Sequence, residues 1–187
     1  RRAPGSAPLG WLAHVGIEVT SALSAAWTSP SPLNGQPLRA LHCDVKPSNI
    51  RVTRHGEVKL LDFGVATSHL LDAEVLMGTR SYVAPERLET GRATPGGDLF
   101  SLGLALLAVA TGRIMRGRPV EAVAHTKWVA PRLAGLPEAY APLRPLLSDL
   151  VNADPLLRPD HNEARVRFYA LVRAHADRPP ADLSADL

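Results

Sequence analysis

The most informative segment of this 187-residue sequence is HCDVKPSN, residues 42–49. It places an aspartate, a lysine and an asparagine within six residues, on a loop stiffened by Pro47. Thirteen residues after Asn49 comes Asp62-Phe63-Gly64. Carboxylate and amide oxygens are the ligands that Mg²⁺ prefers, another carboxylate can accept a hydroxyl proton, and a lysine can meet the charge on a phosphoryl oxygen. This set of residues indicates phosphoryl transfer from a nucleotide.

A β-hairpin is predicted between the two motifs, over residues 50–62. The runs IRVTR and EVKLLD lie on either side of His55-Gly56, and short β-branched runs about a glycine turn are typical of paired strands. The hairpin therefore begins directly after Asn49 and ends at Asp62.

The remaining pattern is mostly helical. Residues 11–27 carry apolar side chains at steps of three and four, which predicts an amphipathic helix. From Asp98 to Thr111 the sequence is apolar on nearly all sides and stops at Gly112, which predicts a buried helix with a glycine cap. Two further amphipathic helices are predicted at residues 138–152 and 160–176.

Composition excludes several classes of protein. The net charge is only +3, and the sequence contains no run of five basic residues, so a nucleic-acid-binding surface is disfavoured. The longest apolar run, Leu99 to Ala110, is too short to span a bilayer, which needs about 20 residues. The single cysteine, Cys43, rules out an internal disulfide, and no signal peptide opens the chain. We therefore expect a cytoplasmic protein with no membrane segment in this chain.

Together with Ala84-Pro85-Glu86, these motifs resemble the C-terminal lobe of eukaryotic-type Ser/Thr protein kinases, in the bacterial branch of that family. The resemblance covers about residues 11–176 and implies a mainly α fold with a small β-hairpin. Residues 1–10 are then expected to be a flexible N-terminal segment, and residues 177–187 a disordered tail.

The resemblance implies a catalytic role for four polar side chains, with ATP and Mg²⁺ as cofactors and a protein Ser or Thr hydroxyl as acceptor. Asp44 would orient the acceptor hydroxyl and receive its proton, and Lys46 would contact the transferred phosphate. Asn49 and Asp62 would bind Mg²⁺. The arrangement D-x-K-P-x-N resembles Ser/Thr kinases rather than tyrosine kinases.

Other positions would shape the catalytic loop, according to the same resemblance. His42 would pack beneath Phe63, and Phe63 would pack under a helix of an upstream lobe. Gly64 would let the activation segment, residues 65–83, move. Asp98 would hydrogen-bond the backbone around His42.

Three further residues would organise the activation segment. Thr79 would belong to a substrate-docking loop with its hydroxyl near Asp44 and Lys46. Glu86 and Arg158 would form a buried ion pair that ties the segment to the lobe.

The sequence departs from the family in three ways. It has no Gly-rich loop, no strand lysine and no helix glutamate to pair with that lysine, so half of the nucleotide cleft is absent. Because the first residue is Arg1, we expect a fragment whose N-terminal lobe lies upstream. Cys43 stands where the family usually has an arginine that pairs with a phosphorylated residue, so we expect activity without that phosphorylation and a thiol that is simply buried. Arg51 stands where an aliphatic residue usually lies beneath the adenine, and it could either stack on the base or spoil the pocket.

Two other functions remain open. One is a pseudokinase, a kinase-shaped scaffold that binds a partner without chemistry; the absent lobe and Arg51 favour it, and the intact set of polar residues argues against it. The other is a small-molecule phosphotransferase, which would share the loop at residues 42–49 but is disfavoured by the elements at residues 62–64 and 84–86.

Overall fold

The computed structural model describes residues 7–63 and 80–175, and over these residues the chain is mostly helical with one two-stranded antiparallel sheet. The strands are β1, Ile50–Val52, and β2, Val58–Leu60. The α-helices are α1 (Leu9–Thr28), α2 (Pro85–Thr90), α3 (Pro95–Thr111), α4 (Ala122–Ala134), α5 (Arg144–Leu150) and α6 (His161–Ala174). Short 3-10 helices occupy Pro47–Asn49, Glu138–Leu143 and Pro155–Leu157.

Helix α3 forms the centre of the core. The Thr94 hydroxyl accepts a hydrogen bond from the Gly97 amide at 3.0 Å, and Pro95 opens the helix, where its missing N–H costs nothing. Every residue from 98 to 108 is buried, as expected for a helix that is apolar on nearly all sides. The helix ends at Gly112, whose φ of 63° is the left-handed value that glycine adopts without strain. The sequence prediction for this helix is confirmed.

Helix α1 packs against both α3 and α6. Its approach to α6 requires a glycine, because a methyl group at Gly16 would lie 2.5 Å from a ring carbon of Phe168. Phe168 is itself fully buried, so the ring has no room to move aside. Among the described residues, no helix is both long enough and apolar enough to cross a membrane.

The hairpin is confirmed and shorter than predicted. Ile50 lies opposite Leu60 and Val52 opposite Val58, and these side chains pack against the core. Arg51 lies opposite Lys59 on the other face, and both are exposed. Alternate residues of a strand point to opposite faces, so the apolar pattern alone fixes which side faces the core.

Several sequence predictions need correction. Residues 138–152 do not form one helix, because Pro142 and Pro145 lack the N–H that a continuous helix needs; a 3-10 turn precedes Pro145 and α5 restarts around it. Leu9 and Gly10 already belong to α1 rather than to a flexible N-terminal segment, and helices α2 and α4 were not predicted. The expected tail, residues 177–187, lies outside the described residues.

Candidate functional site

The loop at residues 42–49 brings a lysine and an asparagine side chain to one carboxylate. Lys46 Nζ lies 2.7 Å from Asp44 Oδ2, and Asn49 Nδ2 donates to the same oxygen at 3.0 Å and to the Asp44 carbonyl at 2.9 Å. The Asp44 and Lys46 side chains are about one quarter exposed, so the pair is accessible from one side. The loop can turn this tightly because Pro47 opens the 3-10 helix that ends at Asn49.

The second carboxylate oxygen of Asp44 has a different environment. Oδ1 is buried and has no hydrogen-bond partner among the described residues. A buried acceptor without a donor costs about 1–3 kcal/mol, which a hydroxyl group placed against it would recover. One oxygen of this carboxylate is therefore held by a lysine and an asparagine, and the other is a buried acceptor that no donor of the described residues reaches.

Asn49 and Asp62 are brought together by the ends of the hairpin. The Leu61 amide donates to the Asn49 carbonyl at 2.8 Å, so Asp62 directly follows a residue that is bonded to Asn49. Asn49 Nδ2 is committed to Asp44, and Asn49 Oδ1 accepts from Ser48 Oγ at 3.5 Å. Asp62 is exposed and has φ 62°, a left-handed conformation that aspartate tolerates better than most residues. An amide oxygen and a carboxylate form a donor set that suits a hard cation such as Mg²⁺.

His42 supports the loop from below. Its Nε2 donates to the Leu61 carbonyl at 2.7 Å, and its Nδ1 accepts from the Asp44 amide at 3.2 Å. These two bonds use both ring nitrogens. Its ring meets that of Phe63 edge-on, with centroids 4.6 Å apart. His42 is therefore a structural residue here, and it links the loop to the end of the hairpin.

Asp98 holds the backbone of the same loop. Its carboxylate accepts from the His42 amide at 2.8 Å and from the Cys43 amide at 2.7 Å. Burial raises the pKa of Asp98, while the two amide bonds act in the opposite direction. Cys43 has φ 66°, a left-handed conformation that costs a non-glycine residue about 1–3 kcal/mol. The Arg87 guanidinium donates to the Cys43 carbonyl at 2.7 Å, so both polar groups of this strained residue are held.

Cys43 itself is a buried thiol. Burial is the main cause that raises its pKa to about 11, and the Asp98 carboxylate adds to the effect. A thiol with such a pKa carries little thiolate at neutral pH and is chemically quiet.

Glu86 and Arg158, which are 72 residues apart in the sequence, form a bidentate ion pair. The guanidinium Nη1 and Nη2 atoms lie 2.7 and 2.8 Å from the two carboxylate oxygens. The pair ties α2 to the loop before α6. Sequence reasoning did not identify Arg87 or Arg118, whose guanidinium groups donate to backbone carbonyls of residues 43, 81 and 83. Arginine bonds to carbonyls leave no spacing signature in a sequence, although Arg87 does follow the motif at residues 84–86 directly.

The other predicted residues are placed as follows. Arg51 lies on the exposed face of β1, opposite Lys59. Gly64 and Thr79 lie outside the described residues, as does most of the expected activation segment. Ser81 is described and is buried, so its hydroxyl is not presented to solvent.

Comparison with known proteins places this geometry in a family. Residues 38–165 match the family model described as "Protein kinase domain". The chain is 33% identical over 153 residues to "Protein kinase wis1" of Schizosaccharomyces pombe, an alignment that covers 73% of this chain and 25% of that protein. It is 34% identical over 148 residues to "Dual specificity mitogen-activated protein kinase kinase mek-2" of Caenorhabditis elegans, covering 78% of this chain and 35% of that protein.

The chain thus spans about a quarter of the length of one relative and about a third of the other. Both relatives come from eukaryotes, so they do not support the bacterial branch expected from the sequence.

Proposed function

This chain belongs to the protein kinase family, and from that membership we propose that residues 11–176 are the C-terminal lobe of a Ser/Thr protein kinase. An N-terminal lobe, supplied by sequence outside this chain, would complete the nucleotide cleft. The described elements support this proposal, because helices form the body of the structure and the sheet is a single hairpin beside the polar loop.

The observation that carries the proposal is the buried Oδ1 of Asp44, which has no hydrogen-bond partner within residues 7–63 and 80–175, beside the bond from Lys46 to Oδ2. An acceptor hydroxyl placed there donates its hydrogen bond to Oδ1 and is oriented for attack. Asp44 then takes the hydroxyl proton, while Lys46 lies within reach of the negative charge on the transferred group. Most of the acceleration would come from positioning and charge neutralisation.

Asn49 and Asp62 are the residues that would hold Mg²⁺, since both offer oxygen donors at the ends of one hairpin. When bound, Mg·ATP supplies the phosphoryl group and a cation that offsets its charge. On the side of the protein, the bonds from Asn49 Nδ2 to Asp44 fix the distance between the cation-binding oxygens and the proton acceptor. The Asn49 side chain thus links the proposed Mg²⁺ site to the proposed proton acceptor.

The acceptor class follows from the loop and the motif after it. A lysine two residues after the aspartate, together with the element at residues 84–86, supports a protein Ser or Thr hydroxyl rather than a small molecule. One relative is named as a dual specificity kinase, so a tyrosine acceptor belongs in the test.

The test is Mg²⁺-dependent phosphate transfer by the full-length protein to Ser, Thr and Tyr peptides, and to aminoglycosides. We expect Asp44→Asn to lower kcat by about 10²–10⁴-fold, the usual contribution of a positioned base. Asp154→Asn is the matched control, because the Asp154 carboxylate only accepts from the Leu156 amide in an exposed turn. Equal rates for wild type and Asp44→Asn would refute the proposed chemistry, and transfer to aminoglycosides alone would reassign the substrate.

One observation favours a second candidate, a pseudokinase scaffold. Arg51 and Lys59 lie opposite each other on the exposed face of the hairpin, which puts two like charges side by side. If that face meets the base of the nucleotide, the two cations would disfavour a purely apolar adenine pocket. Failure of the wild-type protein to bind Mg·ATP would support the scaffold, and Arg51→Leu would then be expected to restore binding.

A further inference from the structure

The segment that leads into α2 is held by side chains rather than by secondary structure. The carbonyls of Ser81, Tyr82 and Val83 are consecutive acceptors. Arg118 Nε donates to the Ser81 carbonyl at 3.0 Å, and Ser101 Oγ donates to the Tyr82 carbonyl at 2.8 Å. Arg118 Nη2 donates to the Val83 carbonyl. One arginine thus binds the first and third carbonyls of the segment, and a serine of α3 binds the second.

Arg118 is suited to this task by its burial and shape. Only 9% of the residue is exposed, and its guanidinium carbon lies 5.2 Å from the centre of the Phe100 ring. Burial lowers its pKa to about 10, so it remains charged at neutral pH. Its Nη1 donates to the Pro119 carbonyl at 2.9 Å. A planar guanidinium can bond two carbonyls of one segment at once, whereas an ammonium group acts as a single point charge.

The segment lies directly against the loop that carries the proposed proton acceptor. Cys43, Val83, Ala84 and Arg87 line one small cavity, and Arg87 donates to the Cys43 carbonyl at 2.7 Å. Since Cys43 precedes Asp44, a shift of residues 81–84 would also move the loop that carries Asp44. Such a shift would alter the protein surface that an approaching acceptor peptide meets.

From this arrangement we propose that Arg118 is a positioning residue that fixes residues 81–83 beside Asp44 and so sets the affinity for the acceptor peptide. The proposal rests on the proposed kinase function. Arg118 acts through the backbone that it holds, and it touches neither nucleotide nor acceptor.

The experiment compares wild type, Arg118→Lys and Arg132→Lys in the full-length protein, with a Ser peptide and Mg·ATP varied separately. Arg132 is the matched control, because its guanidinium also bonds a carbonyl, that of Trp128, and lies over an aromatic ring, but on α4. We expect Arg118→Lys to raise KM for the peptide about tenfold, as loss of a charge-assisted hydrogen bond would, and to leave KM for ATP within about twofold. Arg132→Lys should leave both constants unchanged.

A merely structural role predicts another pattern, in which the active fraction and kcat fall and both KM values stay constant. That pattern, or an equal rise in both KM values, overturns the proposal while the kinase function stands. Should Arg118→Lys fail to fold, Ser101→Ala removes the bond to the Tyr82 carbonyl, together with a bond to the Gly97 carbonyl one turn earlier in α3. This variant should raise peptide KM selectively by a smaller factor. Absence of phosphate transfer by the wild type overturns the proposed function and this inference with it.

Discussion

Glu86→Gln is the substitution whose effect on stability the structure defines most closely. The change keeps the size of the side chain and removes its charge. Arg158, whose side chain has no exposed surface, would then be a buried cation without its counterion. It would keep its bonds to the carbonyls of Asn152 and Gly96, at 2.8 and 3.1 Å. Removing one partner of a buried ion pair typically costs about 3–5 kcal/mol, because the remaining charge is uncompensated.

A second cation adds to this cost. The guanidinium carbons of Arg158 and Arg118 lie 4.7 and 5.2 Å from the centre of the same Phe100 ring. The two charges are therefore at most about 10 Å apart, a separation at which they repel by roughly 1.5 kcal/mol or more for an effective dielectric constant near 20. Glu86 offsets this repulsion in the native protein. We expect Glu86→Gln to lower the free energy of unfolding by about 3–5 kcal/mol.

The assay is urea unfolding followed by tryptophan fluorescence at pH 7. Glu163→Gln is the matched control, since Glu163 forms an exposed pair with Arg167 at 3.5 Å and should lose at most about 0.5 kcal/mol. Arg118→Met should cost less in the Glu86→Gln background than in wild type, because it then relieves repulsion. A loss below about 1 kcal/mol, or one equal to the control, would refute the assignment of Glu86 as the counterion for two arginines.

The remaining predictions concern a histidine and the cysteine. His125 is buried and donates from Nε2 to the Val151 carbonyl, while its Nδ1 has no hydrogen-bond partner in the part of the chain that the structure describes. Burial is the main cause that lowers the pKa of His125 below 6.5; the Arg118 and Arg158 cations add to the effect, and the bond to Val151 acts in the opposite direction. The unfolded state therefore binds more protons, so the free energy of unfolding should fall as the pH drops below about 6.5, by up to about 1.4 kcal/mol per pH unit. In urea titrations from pH 5 to 8, His125→Gln should flatten this slope. An unchanged slope would contradict the prediction. Cys43, with its pKa raised from 9.0 to about 11, should react with a thiol reagent at pH 8 about 100-fold more slowly when folded than in urea, and equal rates would show an accessible thiolate.

The sequence predicted the features whose physical cause is local. The loop at residues 42–49 was identified because its polar residues and Pro47 lie within one turn of chain. Helix α3 was identified because an apolar run ending at a glycine can hardly form anything else. The contact between Asp98 and the loop spans more than fifty residues, and only the family resemblance pointed to it.

The features that were missed lack such local signals. Helix α4 is capped by Glu121, the residue before its first turn, whose side chain accepts from the Val123 and Ala124 amides. Glutamate is not among the residues usually found at the N-cap. It also contains Pro131, which argues against a helix when only the sequence is considered. Arg118 was missed because its partners are backbone carbonyls that any residue would provide. Buried arginines of this kind are found from the fold and not from the pattern.

Two charged side chains hold the backbone of the loop at Cys43. A residue other than glycine keeps a left-handed backbone conformation only if contacts with the surrounding structure hold it there. The Asp98 carboxylate accepts from the amide of Cys43, and the Arg87 guanidinium donates to its carbonyl. An anionic group thus holds the N–H of this residue, and a cationic group holds its C=O. Arg87 comes from α2, which follows directly on the segment bound by Arg118. Within the described residues the loop is thus held by Asp98 and Arg87. Order that comes from these contacts agrees with the expectation that a phosphorylated residue is not needed, and this expectation stays a prediction.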